Sequence, residues 1–581
     1  MDGLLGPPAG YAGKILDVDL TLGETKAVDL PKEAQRFIGG SGMATWFVSK
    51  MVPPSVDPLA EKNVMVFSVG PVTGTSLPMS SRYVVASKSP LNGTLGDADA
   101  GGFWGAELKS AGFDVLVVRG RSKKPVFLWI CDGAAELRDA RDLWGLNVQA
   151  TEKEVKRNCG DCRVLCIGPA GENLVKFSVI LNDGGRVAGR SGLGAVMGSK
   201  GLKAIAVKGG QKYSPSQEIL NLSMEIVGHL LERDGIKRLS QFGTGSFLEN
   251  FLARGNLPLK NWSHDEWSEE SARRISANRL SDVVAVKMKA CKYCPVGCEK
   301  RIEWNGAEEK GPEYETIAAL GSLCLVDDPM AVINSNRSCN LLGIDTIEAG
   351  TLIAFLMECF ERGILTSDEI GLSLSWGKGD NFPELLEMIA FRRGFGGILA
   401  EGVKRAADAI GGEAAKLAMH VKGAPICMHD PRVQPDKGLN YATLPSGAYH
   451  GKGGSGYVGL PKSGSMVEEL VMRQNLAEII DSLVMCSFAF EIWAGGLPVD
   501  YLPKILKTVT GVRLSLNDLI ETGREILNMK ISFAKASLGR DKIGDPLPER
   551  FKVVPRVRGG VSFTFQAEEF LDEYYKFRQT Q

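Results

Sequence analysis

Three closely spaced cysteines, Cys291, Cys294 and Cys298, constrain the fold of this 581-residue chain more than any other feature. Their C-x2-C-x3-C spacing, with a proline and a glycine in the intervening backbone, lets three thiolates face one point. A tetrahedral centre needs a fourth ligand, and the best candidate is Cys486, far along the chain. The pattern therefore predicts an iron–sulfur cluster or a zinc ion at a domain junction, with the C-terminal third folded back onto the middle of the chain.

A second triplet, Cys159, Cys162 and Cys166, has the same spacing. It runs into a predicted strand at 163–167, and a strand spreads its side chains along a face instead of gathering them at a point. We therefore interpret these cysteines as buried apolar side chains. The first triplet lies in a predicted loop, so we interpret it as the ligand set, with a structural zinc site as the alternative that spacing alone leaves open.

Length, composition and charge exclude several classes of protein. A chain of 581 residues is too long for one core, so about two to four domains are expected. A hydrophobic content of 44%, a net charge of -1 and a pI near 6.6 are typical of soluble globular proteins and argue against a nucleic-acid partner. We find neither a secretory signal at the N-terminus nor an apolar run that could span a bilayer, so we expect a cytoplasmic protein.

The pattern of apolar residues predicts an α+β fold. Residues 1–210 should form a β-rich domain, because short β-branched runs alternate there with Gly, Pro, Asn and Asp. After residue 210 the period becomes helical, which predicts two mainly helical domains at 211–415 and 416–581. The predicted strands are 64–69, 83–86, 115–118, 126–130, 164–167, 175–181 and 204–207, and the clearest predicted helices are 346–361 and 467–485.

A glycine-rich segment, 184–199, narrowly misses the G-x-G-x-x-G fingerprint, because Met197 occupies the position of the third glycine. Flexible backbone beside Arg186 and Arg190 is nevertheless suited to a phosphate or another anion. A similar polar, glycine-rich stretch occurs at 97–102. Two such stretches in one domain predict a large phosphorylated cofactor.

Two residues stand out as acid–base candidates. Glu315 lies in the segment 311–316, just before an apolar stretch. A helix start with Pro at its first position accounts for Glu313, whereas Glu315 fits either that role or general acid/base chemistry. His450 lies in a glycine-dense loop, where a side chain can approach a ligand, although solvated loop histidines are the commoner case.

Taken together, these residues resemble the tungsten-containing aldehyde:ferredoxin oxidoreductase family over nearly the whole chain. The resemblance implies a tungsten ion held by the dithiolenes of two pterins, with magnesium between their phosphates and a [4Fe-4S] cluster nearby. Molybdenum shares this ligand chemistry. In this family a β-rich base domain carries the pterins, and two helical domains cover them. The matching stretches are 70–76, 101–108, 168–173, 182–200, 291–298, 311–315, 342–347 and 481–486.

The resemblance also assigns roles to residues. Glu315 and His450 fall on the catalytic positions beside tungsten. The implied cluster ligands are Cys291, Cys294, Cys298 and Cys486. Asp99 and the backbone carbonyl of Val187 would hold magnesium. The implied pterin-site residues are Arg82, Asp99, Gly101, Arg186, Val187, Asn340, Gly343, Ile344, Asp345, Lys452, Asp481 and Met485.

Several positions depart from the family pattern. The first pterin motif begins with Asn340 and contains Ile344, and Asp99 replaces an asparagine but keeps an oxygen ligand. Residues 334–337 replace a Glu-x-x-His pair that binds iron between subunits in some members, so a homodimer here would lack that iron. Cys324 is either a direct tungsten thiolate, as in benzoyl-CoA reductase relatives, or a buried apolar cysteine.

These features predict that the protein oxidises an aldehyde to a carboxylic acid, with electrons passing through the cluster to ferredoxin. A second hypothesis is a tungsten reductase subunit of the aryl-CoA type, working with an iron–sulfur partner subunit in a larger electron-transfer complex. A third hypothesis, from another class, is a non-catalytic scaffold whose four cysteines hold zinc.

Overall fold

The structure, a computed structural model, describes residues 10–211 and 213–580. The predicted lack of a signal at the N-terminus concerns residues outside these ranges. Within them, none of the helices combines the length and the apolar character needed to cross a membrane. The fold is α+β, as predicted: a β-rich part up to residue 210 precedes a mainly helical remainder.

The first sheet of the β-rich part has six strands in the order β2-β1-β6-β3-β4-β5. The β1–β6 pairing is parallel and the other pairings described are antiparallel. Because Tyr83 pairs with Ala100, the start of β4 and the end of β5 lie side by side. The elements are β1 (Lys14–Asp19), β2 (Glu24–Asp29), α1 (Lys32–Gln35), α2 (Gly40–Met51), β3 (Met65–Ser68), β4 (Tyr83–Lys88), β5 (Leu95–Ala100), α3 (Trp104–Ser110) and β6 (Val115–Arg119).

The second sheet also has six strands, in the order β11-β10-β9-β12-β7-β8, and it shares an apolar core with the first. Packing of one sheet on the other buries apolar side chains of both. This burial explains the short, β-branched apolar runs in the sequence of the β-rich part. Its elements are β7 (Val126–Cys131), β8 (Ala134–Asp139), α4 (Val148–Cys159), β9 (Arg163–Cys166), α5 (Pro169–Glu172), β10 (Ile180–Asn182), β11 (Arg186–Ala188), α6 (Leu193–Ser199) and β12 (Leu202–Lys208).

Two predictions for this part have different outcomes. The predicted strand 175–181 is wrong over most of its length, since β10 begins only at Ile180. The N–H of Val175 donates to the carbonyl of Ala170, and that of Val179 to Gly343, so this apolar run is used for packing and not for a ladder. The second cysteine triplet is spread over the end of α4 and β9, and its buried interpretation is confirmed for Cys162 and Cys166.

The remainder of the chain is mainly helical, with a small three-stranded sheet, β13-β14-β15, that the sequence did not predict. The strands are β13 (Val286–Lys289), β14 (Glu299–Trp304), β15 (Ala307–Lys310), β16 (His420–Val421), β17 (Ala424–Pro425), β18 (Arg556–Arg558) and β19 (Val561–Phe563). The helices are α7 (Gln217–Leu231), α8 (Asp234–Phe242), α9 (Leu248–Ala253), α10 (Glu269–Ile275), α11 (Tyr314–Leu320), α12 (Pro329–Leu342), α13 (Thr346–Glu361), α14 (Ser367–Ile370), α15 (Phe382–Ala390), α16 (Gly396–Leu399), α17 (Val403–Ile410), α18 (Pro435–Thr443), α19 (Met466–Leu483), α20 (Tyr501–Thr510), α21 (Leu516–Leu538), α22 (Arg550–Val553) and α23 (Glu568–Thr580).

The helical part has two large apolar cores that do not follow chain order. Helices α7 and α8 pack with α19, α20 and α21 in one core. Helices α11 to α17 pack with α22 and α23 in the other. The predicted boundary between residues 415 and 416 stays a prediction, because each core draws on both sides of it. This interleaving folds the C-terminal third back onto the middle of the chain, as the cysteine pairing required.

Candidate active site

The loop of the first cysteine triplet connects β13 to β14 and docks on the β-rich part. The N–H of Cys294 donates to the carbonyl of Cys291 over 3.1 Å, which closes a turn. The N–H of Lys292 donates to the carbonyl of Gly102 over 3.2 Å. A Cβ atom at Gly101 would lie 2.7 Å from Cys291 Sγ, so only glycine leaves room for this thiol.

Cys486 reaches the same place from the opposite end of the chain. Helix α19 ends in a left-handed residue, Val484 (φ 55°), which turns the chain so that the N–H of Cys486 donates to the carbonyl of Met79 over 2.8 Å. Cys294, Cys298 and Cys486 line one apolar core. Burial raises the pKa of all three thiols, that of Cys294 to about 11, and the charge of Cys291 adds to each shift. The structure therefore brings the four predicted ligands together.

Arg82 connects this cysteine group to β5. Its Nη2 donates to Cys486 Sγ over 3.8 Å, and its Nη1 forms an ion pair with Asp99. Burial alone would lower the pKa of Arg82, but the neighbouring charges of Asp99 and Cys486 hold it above its ordinary value. The guanidinium is therefore a fixed cation between the cysteine group and Asp99.

Arg186 and Val187 lie on β11, which runs beside β5. The Arg186 guanidinium is 2.5 Å from the carboxylate of Glu299, the residue after Cys298. Val187 is half-buried and pairs with Leu181 of β10. The two implied magnesium-side residues, Asp99 and Val187, thus come from neighbouring strands.

A buried network of charges surrounds Lys452. Its Nζ lies 2.8 Å from Asp97 Oδ2 and 2.6 Å from Asp481 Oδ2. Lys530 Nζ bonds the same oxygen of Asp97 over 2.9 Å and Glu478 over 2.7 Å. Burial raises the pKa of Asp481 to about 6, which the charge of Lys452 only partly offsets. The network links the β-rich part to α19 and α21.

The segment 340–345 joins α12 to α13. Gly343 takes a left-handed φ of 80°, which ends α12. Asp345 then caps α13 by accepting the N–H of Ile347 over 2.9 Å. Its other oxygen accepts a hydrogen bond from Arg190 over 3.0 Å, so the second arginine of the glycine-rich segment is held at this turn.

The other members of the two implied pterin motifs are placed by ordinary packing. Asn340 is half-buried and donates to Asn336 over 3.3 Å, while Ile344 is buried against the β-rich part through its bridge to Ser178. Met485 is buried, and its N–H donates to Ile480 over 3.1 Å.

Glu315 and His450 meet although they are far apart in sequence. Glu315 Oε1 lies 3.7 Å from His450 Nδ1, and Glu315 Oε2 accepts the N–H of Met428 over 2.9 Å. Both Oε1 and Nδ1 are buried and have no hydrogen-bond partner among the described residues. Burial lowers the pKa of His450, so the imidazole is neutral at pH 7. The predicted helix start is wrong in one detail: Glu313 is the N-cap of α11, so Pro312 lies outside the helix.

Comparisons with known proteins identify the family of this chain. The model of the aldehyde ferredoxin oxidoreductase N-terminal domain matches residues 15–209, and that of domains 2 and 3 matches residues 221–580. The chain belongs to the aldehyde ferredoxin oxidoreductase family. It is 36% identical to the tungsten-containing aldehyde ferredoxin oxidoreductase of Pyrococcus furiosus, over 98% of this chain and 96% of that protein. It is also 36% identical to the enzyme of the same name from Thermococcus kodakarensis, with the same coverage.

Two more distant similarities are informative. The WOR-like subunit of an aliphatic sulfonate oxidoreductase from Pyrococcus furiosus is 32% identical over 82% of this chain and 79% of that one. The active site complex of benzoyl coenzyme A reductase, solved with 1,5-dienoyl-CoA, superposes with a TM-score of 0.84 at 23% identity, covering 98% of this chain and 95% of that one. At that identity the likeness shows the fold alone.

In this aldehyde ferredoxin oxidoreductase family member, the sequence analysis missed two residues beside Glu315, namely His429 and Cys427. His429 Nε2 lies 3.4 Å from Glu315 Oε1. Asn256 accepts the N–H of Asp430 on its Oδ1 and contacts His429 Nδ1 through its Nδ2 over 2.9 Å. This orientation of the amide assigns the proton of His429 to Nε2, on the side of Glu315.

Cys427 is the other missed residue. Its Sγ, Glu315 and His450 offer ligand atoms that all lie within 4.8 Å of one another. The only sequence signal was the proximity of a cysteine and a histidine in 427–429, a stretch that follows β17 without any glycine-rich or helical pattern.

Cys324, by contrast, lies in the apolar core of the helical part. Its thiol donates to the carbonyls of Ala319 over 3.5 Å and Gly350 over 3.7 Å, both within helices. Burial raises the pKa of this thiol. These contacts are those of the buried apolar cysteine that the sequence left as the alternative to a tungsten ligand.

Proposed function

We propose that this protein oxidises an aldehyde to a carboxylic acid and passes the electrons to ferredoxin. In balanced form, one aldehyde and one water give one acid, two protons and two electrons. Membership of the family supports this reaction, as do the relatives named tungsten-containing aldehyde ferredoxin oxidoreductase. The observation that carries the proposal for this chain is the meeting of Glu315 and His450, with one buried and unpaired atom on each side chain.

The residues fit the cofactors that the family implies. The four thiols are near enough to one another to influence each other's charge. No three of their sulfur atoms, however, lie within 4.8 Å of one another in the described ranges. A single zinc ion with bonds of about 2.3 Å needs such close sulfurs, whereas a [4Fe-4S] cluster fills a wider space. When bound, a tungsten bis-pterin would accept the two electrons and the cluster would pass them on singly.

Cationic side chains near the cysteine group and the Lys452 network suit the phosphates of such a cofactor. Arg82, Arg186 and Lys452 would hold these phosphates through charge-assisted hydrogen bonds. Asp99 and the carbonyl of Val187 would supply oxygen ligands to magnesium, since Mg²⁺ prefers oxygen. Gly343 and Asp345, which turn the chain between α12 and α13, would position one pterin ring, and the segment from Asp481 to Met485 the other.

Glu315 and His450 can divide the proton chemistry between them. Met428 fixes one oxygen of Glu315, so Oε1 is left to take a proton from the attacking water. The imidazole of His429 packs beside this oxygen, with its Nε2 3.4 Å away and no hydrogen bond between them. His450, neutral because burial lowers its pKa, donates a hydrogen bond to the aldehyde oxygen as charge develops there.

Cys486 would hold the cluster close to residues that would hold the pterin. Cys486 follows the segment from Asp481, whose carboxylate bonds Lys452, and Arg82 contacts Cys486 from the side of Asp99. One short stretch of chain thus contacts both predicted cofactor sites. When bound there, the cluster would supply the electron transfer to ferredoxin.

The other hypotheses have less support. The aryl-CoA reductase hypothesis draws on a likeness that shows the fold alone. The zinc scaffold would leave the unpaired atoms of Glu315 and His450 without a role. A cytoplasmic location, and a homodimer without iron between its subunits, remain predictions.

The test replaces Glu315 by Gln, which keeps the size and the contact to Met428 but cannot take the proton. We expect aldehyde-dependent viologen reduction to fall by about a factor of 100 or more, with tungsten, pterin and iron contents unchanged. Glu361→Gln, at the exposed end of α13, is the matched control and should keep full activity. Undiminished turnover by the fully loaded Glu315→Gln protein would remove Glu315 from the mechanism.

A further inference from the structure

Glu315, Cys427 and His450 form a compact group of three different donors. A carboxylate oxygen, a thiol sulfur and an imidazole nitrogen all lie within 4.8 Å of one another. They come from three separate segments: the first turn of α11, the stretch after β17 and the loop between α18 and α19. Tertiary packing, not a local motif, builds this group.

The group is poorly satisfied by the protein itself. Glu315 Oε1 and His450 Nδ1 are buried and lack a hydrogen-bond partner in the part of the chain that the structure describes. Cys427 is fully buried; its thiol donates a long hydrogen bond, 3.8 Å, to the carbonyl of Ala448, and its sulfur accepts from the backbone N–H of His450. Since buried polar atoms are normally paired, two unpaired atoms that face one thiol indicate a missing partner.

Three side chains border this group: the cations Arg190 and Lys437, and the imidazole of His429. The charge of Lys437 acts on Glu315 and Cys427, but no hydrogen bond joins its ammonium to either residue within the described ranges. Arg190 donates to Asp345 and to the carbonyls of Pro425 and Ala448. His429 Nε2 approaches Glu315 Oε1 to 3.4 Å without forming a hydrogen bond. The missing partner of the three donors is therefore not one of these side chains.

We propose that Glu315, Cys427 and His450 bind a divalent cation of the zinc class. Thiolate, imidazole and carboxylate are the ligands that Zn²⁺ takes in proteins, and three protein ligands leave a fourth position open. Binding holds the two proposed catalytic side chains on the cation, so zinc and aldehyde compete for them. This consequence rests on the proposed function, whereas the cation site itself does not.

The experiment uses the full chain purified without tungsten, after its cysteine cluster has been reconstituted with iron and sulfide. Zn²⁺ alone is the probe, with affinity measured by calorimetry and ligands by zinc K-edge X-ray absorption. We expect one bound zinc per chain, with one sulfur neighbour at about 2.3 Å and nitrogen or oxygen neighbours. Cys427→Ser should lose the sulfur neighbour and weaken binding at least tenfold.

Two further variants protect the result against misfolding. Glu315→Gln preserves side-chain shape and should also weaken binding about tenfold, because a neutral amide is a poor zinc ligand. Cys324→Ser, at a buried thiol outside the group, should bind zinc as the unmodified chain does. The proposal would be overturned if the unmodified chain bound no zinc. It would also be overturned if the zinc in Cys427→Ser still had a sulfur neighbour. Zinc binding without aldehyde oxidation would keep it and reject the proposed function instead.

Discussion

Arg82 Nη2 lies 3.8 Å from Cys486 Sγ, while the same guanidinium pairs with Asp99 on β5. This contact places a fixed positive charge beside a predicted cluster ligand. Hydrogen bonds to sulfur and nearby cations stabilise the reduced, more negative form of an iron–sulfur cluster. The reduction potential of the cluster should therefore depend on Arg82.

Replacing Arg82 by Met should make the cluster potential more negative by about 60 mV, since a hydrogen bond to a charged group contributes about 1.5 kcal/mol and the couple transfers one electron. A redox titration followed by EPR measures the shift. Arg138 offers a matched control, because its guanidinium also donates to a thiol, Cys159 Sγ, over 3.5 Å. An unchanged potential in Arg82→Met, or an equal shift in Arg138→Met, would contradict this role.

The two cysteine triplets give a second prediction, about iron content. Cys298→Ser should lower the iron bound per chain and abolish or broaden the cluster EPR signal, because an alkoxide is a poor substitute for a thiolate ligand. Cys166→Ser changes the third cysteine of the other triplet, which is buried at the end of β9. Its iron content should equal that of the unmodified protein. Equal iron in both variants would show that the spacing of Cys291 to Cys298 does not identify the cluster.

The sequence predicted those parts of the site that depend on local patterns. The bend around Cys291 follows from Pro and Gly in a short loop, and the position of Cys486 follows from the helical period of α19. Family resemblance added Arg82, Asp99 and Lys452. In the structure Arg82 pairs with Asp99, and Lys452 pairs with Asp97 and Asp481.

Residues that reach the site only by long-range packing were not predictable in this way. Cys427 and His429 lie beside Glu315 because the stretch after β17 packs against α11, more than a hundred residues earlier in the chain. The apolar run at 175–179 shows the reverse error. Its β-branched pattern is that of a strand, but its backbone hydrogen bonds go to Ala170 and Gly343. A pattern of apolar residues records burial and not the partner of the backbone.

The buried charge network gives a third prediction, about stability. Lys530 Nζ bonds Asp97, Glu478 and Ser41, so Lys530→Met would leave two carboxylates buried without this cation. Breaking a buried pair from one side costs about 3–5 kcal/mol. We expect a clearly lower apparent Tm for Lys530→Met, measured by scanning calorimetry. Lys535→Met, on the same helix but half-buried, should change the Tm little. Equal effects would mean that the network does not stabilise the junction.

His420 gives the last prediction, about acid stability. Burial lowers the pKa of this imidazole from 6.5 to about 4. Between these pH values the unfolded chain takes up a proton that the folded chain does not. The free energy of unfolding is therefore unaffected by the titration of His420 above pH 6.5 and decreases as the pH falls towards 4. The loss should be on the order of 1 kcal/mol per pH unit.

The measurement compares the slope of the apparent Tm against pH, between pH 6.5 and 4, in three proteins. His420→Gln cannot take up the proton, so its Tm should fall less steeply with acid than that of the unmodified chain, whatever its absolute stability. His264→Asn, at an exposed position, should keep the steeper slope. If His420→Gln and the unmodified chain lose Tm in parallel, another buried group determines the acid sensitivity and the neutral state of His420 does not contribute to it.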